Sequence, residues 1–191
     1  MPKTDPAREA LLTALEASGV SIPLWDGILI EETVRIAPGA TILPGCILRG
    51  NTTIAAGSVI GPGSVLTDAV IGKNCIVKNT YITESTLEEN VSIGPFSQVR
   101  PGCHIAAGCK IGDFVEVKNS HIGQKTAIAH LTYVGDTDCG SGVNFGCGVA
   151  IANFNGKEKF RTTIGDNAFL GCNTNLVAPV TIGAGAYTAA G

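Results

Sequence analysis

The sequence predicts an all-β solenoid, a three-sided rod of short parallel strands, and three observations lead there. An aliphatic residue recurs every sixth position along most of the chain. The residue four places after it is repeatedly small. Hydrophobic residues make up 45% of the composition but aromatics only 5%, which suits thin repeated layers better than one bulky core.

The first element is the exception to the repeat. Residues 5–19 read as a helix, with Asp5 as N-cap, Pro6 at N1 and Gly19 at C′. Leu11, Leu12 and Leu15 give it one apolar face. So short a helix is marginal alone and must dock on something. Residues 1–22 are therefore a helical lead-in and 23–191 the repeat domain.

The repeat starts at Ile36 and steps through Ile42, Leu48, Ile54, Ile60 and Leu66. After five-residue steps at intervals it runs on through Ile71, Val77, Ile82, Leu87, Ile93, Val99, Ile105, Ile111 and Val117. It continues through Ile122, Ile128, Val134, Cys139, Phe145 and Ile151, and resumes at Ile164, Leu170, Leu176, Ile182 and Thr188. Six is a poor multiple of 3.6, so no amphipathic helix gives this spacing. A short strand plus a turn does, with Cys46, Ser58, Ser64, Cys75, Cys103 and Cys109 in the small inward slot. Glycines in PGA, PGC and PGS serve the corners. Three hexads close one coil. The series gives between eight and nine coils, a rod roughly 40 Å long at ~4.8 Å per coil.

Stacking turns spacing into neighbourhood. Arg100 follows Val99 and Lys118 follows Val117 one coil later, so two cations stack outside the core. They are either solvated surface charges or a site for an anion such as phosphate. His130 lies two after Ile128, and the equivalent positions in later coils are Cys147, Cys172 and Ala190. A titratable group thus stands at the foot of a small-residue column. That column is either a channel fit for an elongated acyl carrier such as phosphopantetheine or packing against a neighbouring subunit. The longest break in the period, ANFNGKEKFRTT at 152–163, must leave the rod as a loop bearing Lys157, Lys159 and Arg161. It is solvated surface or a lid that reaches a phosphate.

His104 and His121 should stack on another face, but the pair lacks a third ligand, and no metal site is expected. Cys46, Cys75, Cys103 and Cys109 read as inert packing, whereas Cys147 and Cys172 face outward. Seven cysteines without CxxC spacing or a secretory pattern read as reduced thiols of a cytoplasmic protein. A net charge of −3 gives no reason to expect nucleic acid or an anionic membrane as partner, and no apolar run is long enough to span a bilayer.

The segments IGPFSQVRPG, GDFVEVKNS, AHLTYVGD, GVNFGCG, NFNGKEKFRTTIGD and NLVAPVTIGAGAYTAAG closely resemble the C-terminal half of the bifunctional N-acetylglucosamine-1-phosphate uridyltransferase/glucosamine-1-phosphate acetyltransferases. The resemblance runs from about Arg8 to the last residue and implies a left-handed parallel β-helix of hexapeptide repeats, assembled as a homotrimer with sites between subunits. It implies acetyl transfer from acetyl-CoA to the amine of glucosamine 1-phosphate, for UDP-N-acetylglucosamine and cell-wall synthesis. By matching motif, the resemblance implies His130 as the general base. It implies Arg100, Lys118, Tyr133, Asn144 and Lys159 as the sugar-phosphate contacts. Cys147, Asn153, Phe154, Cys172 and Ala190 fall on acetyl-CoA positions.

Two departures accompany it. NFNG stands for the family's Asn-Tyr-Asp-Gly, so Phe154 lacks a hydroxyl. The sequence stops at AAG, before a family arginine that contacts CoA, and reads as cut short. No glycine-rich nucleotide loop precedes an α/β pattern, so uridyltransferase activity is not expected. The alternatives are another hexapeptide-repeat acyltransferase and a non-catalytic trimeric scaffold that partners a separate nucleotidyltransferase. Asp136, six residues after His130, either orients the imidazole or stands outward in solvent.

Overall fold

A computed structural model describes residues 5–191. Helix α1 spans Pro6–Ala17. The Asp5 carboxylate accepts hydrogen bonds from the amides of Ala7 (3.1 Å) and Arg8 (3.4 Å), the N-cap its sequence promised. Gly19 ends the helix at φ +96°, with its amide donating to the Glu16 carbonyl. The helix docks on the first coil: Leu12 is fully buried, and Arg8 donates from Nε to the Ile28 carbonyl at 2.8 Å and from Nη2 to the Trp25 carbonyl.

Twenty-six short strands follow. They form three parallel sheets, one per side of the rod, which winds left-handed. Face 1 holds nine strands from Leu29–Ile30 to Asn175–Val177, and face 2 holds nine from Arg35–Ile36 to Val180–Ile182. Face 3 holds eight, from Thr41–Ile42 to Phe169–Leu170. The first strand lies one step before Ile36, because Ile30 also keeps the period and packs against the core. At the far end Tyr187 makes a single bridge to Phe169, and Thr188 lies in no strand.

Each coil sends its aliphatic and its small residue inward. Ile42, Leu48, Ile60, Leu66, Val117 and Ile128 are fully buried, and so are Cys46, Ser58, Ser64, Cys75 and Cys109. The small polar slot also stitches coils together. Ser58 donates to the Gly72 carbonyl at 2.7 Å and accepts from the Cys75 amide at 3.0 Å. A buried hydroxyl is thereby satisfied without water.

The corners need a left-handed backbone, and glycine alone does not supply it. Gly45, Gly57 and Gly102 have positive φ, but so do Asp68, Asn79, Asn119 and Asp136 at shortened sides. Asn and Asp tolerate this region better than other side chains. Phe96, Phe114 and Leu131 adopt it too, and all three are exposed. No helix of the described residues is long and apolar enough to cross a membrane.

Candidate functional site

Face 1 builds a cluster of charge at the ends of its strands. Val99 pairs with Val117, and the Arg100 amide donates to the Val117 carbonyl at 2.8 Å, so Lys118 lies one coil above Arg100. Their counter-charges come from the chain itself. Arg100 Nη1 donates to Glu116 Oε1 at 2.8 Å, and Lys118 Nζ sits 3.6 Å from Asp136 Oδ2.

Asp136 takes neither of the roles its sequence position suggested. It is buried, at 4% exposure, and bonds no histidine. Its carboxylate accepts from Asn119 Nδ2 at 2.6 Å and from Asn153 Nδ2. Burial pushes this carboxyl up, but the two amide hydrogen bonds and the Lys118 charge outweigh it and hold the group below the usual carboxylate range. Asp136 sits at the corner after Gly135 with φ +50°, one coil above Lys118, and its amide donates to the Lys118 carbonyl at 3.0 Å.

The loop adds a third cation. It forms a small hairpin in which Phe154 bridges to Lys159, the Phe160 amide donates to the Asn153 carbonyl, and Asn155 Oδ1 accepts from the amides of Lys157 and Glu158. Arg161 ties it to face 2, donating to Asp138 from Nε (2.9 Å) and Nη2 (2.6 Å), and to the Asn119 carbonyl from Nη1 (3.2 Å). Lys159 thereby arrives beside Lys118, whose proximity and charge hold the Lys159 amine below the usual lysine range. The Tyr133 hydroxyl and Asn153 Nδ2 crowd the open space over Gly135, the residue in register with Lys118. Arg100, Lys118, Lys159, Tyr133 and Asn153 therefore gather in one region. Asn144 does not join them within the chain, because it opens a strand of face 3 between Ala127 and Phe169.

His130 ends the face 3 strand Ala127–His130. Its ring points outward, and Nδ1 bonds Asp113 Oδ1 at 2.7 Å. Three backbone bonds trace the column above it: Gly148 amide to His130 carbonyl, Asn173 amide to Cys147 carbonyl, and Gly191 amide to Cys172 carbonyl. Cys147, Cys172 and Ala190 hence rise in order over His130, with Cys172 and Ala190 exposed. Phe154 is exposed, while Asn153 is buried with its amide committed to Asp136.

Sequence reasoning missed Asp113, Glu116 and the Asp138–Arg161 pair. Asp113 was within reach of the column method: it stands two after Ile111 just as His130 stands two after Ile128, and the two are in register. On face 2, His104 and His121 stack with ring centroids 5.0 Å apart, and Glu88 bonds His104 Nε2 at 2.8 Å. Among the described residues no group of three or more His, Cys, Asp or Glu is arranged to hold a metal ion.

Residues 84–119 match the family described as bacterial transferase hexapeptide (six repeats). Over that stretch the chain is similar to bacterial hexapeptide-repeat transferases. The hexapeptide-repeat chain is 56% identical over 106 residues to the bifunctional protein GlmU of Clostridium kluyveri, covering 56% of this chain and 23% of that protein. GlmU of Brevibacillus brevis is 56% identical over 105 residues, covering 55% of this chain and 23% of its own length. The chain thus spans about a quarter of the length of these relatives. Among solved structures, the Arabidopsis UDP-N-acetylglucosamine acyltransferase aligns with 85% of this chain and 65% of its own, at 16% identity and a TM-score of 0.47.

Proposed function

We propose that this chain transfers the acetyl group of acetyl-CoA to the amine of glucosamine 1-phosphate, as a cytoplasmic homotrimer with its sites between subunits. The observation that carries the reading is the gathering of Arg100, Lys118 and Lys159 on face 1 with an outward His130 at the foot of a small-residue column. The likeness to GlmU over more than half of the chain supports it.

Three cations against two carboxylates leave a net positive charge that favours a phosphate. Holding the phosphate fixes the amine on the neighbouring ring carbon, an orientation effect. His130 accepts a proton as the amine attacks the thioester carbon. The column of Cys147, Cys172 and Ala190 gives the pantetheine arm a path that bulky side chains would block.

A trimer would cover what a single chain leaves open. His130 ends a strand of face 3 and Lys118 a strand of face 1, with the face 2 strand His121–Ile122 between them along the chain. Two hollows of the single chain lie at the helix end, one around Arg8 and Trp25 and one around Leu11 and Ile30. A second chain laid along face 1 would cover the cations and bring further groups, Asn144 among them, to the sugar.

Steady-state acetyl transfer to glucosamine 1-phosphate, glucosamine and free amino acids tests the substrate. Transfer that requires the 1-phosphate supports the reading; preference for another acceptor points to a different acyltransferase. His130→Ala should lower kcat by roughly 10²–10⁴-fold with the fold intact. Acetyl-CoA that gives no heat on titration into the wild-type chain would leave the scaffold as the reading that stands.

A further inference from the structure

We propose that Asp113 is the positioning residue of the site: it locks His130 in the tautomer that carries its proton on Nδ1 and offers the Nε2 lone pair to the incoming amine. The inference rests on the acetyl-transfer reading above and adds a residue that reading does not contain.

The geometry is specific to this pair. Asp113 Oδ1 lies 2.7 Å from Nδ1, and Nε2 has no partner among the described residues. Asp113 and His130 are aligned across neighbouring strands of face 3, so the fold delivers the carboxylate whatever the side-chain rotamers do elsewhere. The other nearby acids are spent: Glu116 holds Arg100, and Asp136 holds Lys118, Asn119 and Asn153. The hydrogen bond from His130 keeps the Asp113 carboxyl below the usual carboxylate range, so it is ionised at neutral pH and acts only as an acceptor.

The chemistry needs such an acceptor. As the amine nitrogen bonds to the thioester carbon, one of its protons passes to Nε2. The tetrahedral intermediate collapses with cleavage of the C–S bond. The departing thiolate takes the proton from the imidazolium, which restores the neutral ring. Asp113 stays ionised throughout, orienting the ring and stabilising the imidazolium that forms in between. His130 and Asp113 are 58% and 38% exposed in the single chain, where water screens the pair. Exclusion of water by bound substrate strengthens it at the moment of reaction.

The test uses the full chain with Asp113→Asn and Asp113→Ala, each checked for an unchanged thermal melt. Two readouts are taken: kinetics with glucosamine 1-phosphate and acetyl-CoA, and the ¹⁵N shifts of the His130 ring at a pH where it is neutral. The expected result is a kcat lowered roughly 10²-fold with both KM values changed by no more than about threefold. Asp113→Glu should recover part of the loss. The wild-type ring should show the Nδ1–H tautomer, and Asp113→Ala should shift it toward Nε2–H. A kcat within about threefold of wild type in both variants overturns the proposal, as does an Nε2–H ring in the wild type. Should the wild type acetylate no acceptor, the functional reading fails, and the ring shifts still decide whether Asp113 sets the tautomer.

Discussion

Asp136 shows how much one buried carboxylate can organise. It ties three side chains from the coils on either side of it: Lys118 and Asn119 from one, and Asn153 from the other. Its acidity is enhanced in the folded chain although burial alone would weaken it. A carboxyl whose folded pKa is depressed contributes stability above its unfolded value, near pH 4, and loses that contribution as the pH falls through the folded value. Asp136→Asn should therefore melt at a lower temperature than the wild type at pH 7. The gap should narrow as the pH is taken below about 4, where the wild-type carboxyl also becomes neutral. Thermal melts across that range check it; a gap independent of pH would mean that the carboxylate charge does not matter. The column positions of Arg100, Lys118, His130, Cys147, Cys172 and Ala190 were legible in the sequence, because the register follows from counting. The burial of Asp136 was not, because it depends on Asn153 at the start of the non-repeat segment, and a six-residue period says nothing about the path of that segment.

At the level of elements, the hairpin between Ile151 and Ile164 is a segment within the repeat domain that the repeat does not place. Its composition announced a basic loop, but its path depends on a long-range contact with Asp138, a residue on face 2. No spacing rule brings Arg161 there. The clamp presents Lys159 to Lys118, so loosening it should weaken substrate capture more than chemistry. Arg161→Ala is expected to raise the KM for glucosamine 1-phosphate several-fold, roughly tenfold at most, with kcat less affected. It should also open the Lys157 and Lys159 bonds to trypsin, and acetyl-transfer kinetics with limited proteolysis read both effects. The helix, by contrast, was readable to its caps, since Asp5, Pro6 and Gly19 each act within a few residues of themselves.

The whole molecule hides most of its sulfur. Cys46, Cys75, Cys103, Cys109 and Cys139 lie inside the rod, and burial pushes the Cys139 thiol up to about 12. Cys147 and Cys172 stand on the outer column. A thiol reagent should label those two in the native chain and all seven after denaturation. Saturating acetyl-CoA should slow labelling at both if it occupies the column. Mass spectrometry of the labelled peptides gives the sites, and early reaction at Cys75 or Cys109 would contradict so tight an interior.

The lattice of parallel registers also makes the chain a ruler graduated in coils. Ile47 faces Val65 and Leu48 faces Leu66, so excising residues 48–65 would splice equivalent points and shorten the ruler by one graduation of ~4.8 Å. Every later side chain would keep its face. Deleting Leu48 alone would instead put the next residues out of phase, and the mismatch would have to be absorbed at a corner before the count could recover.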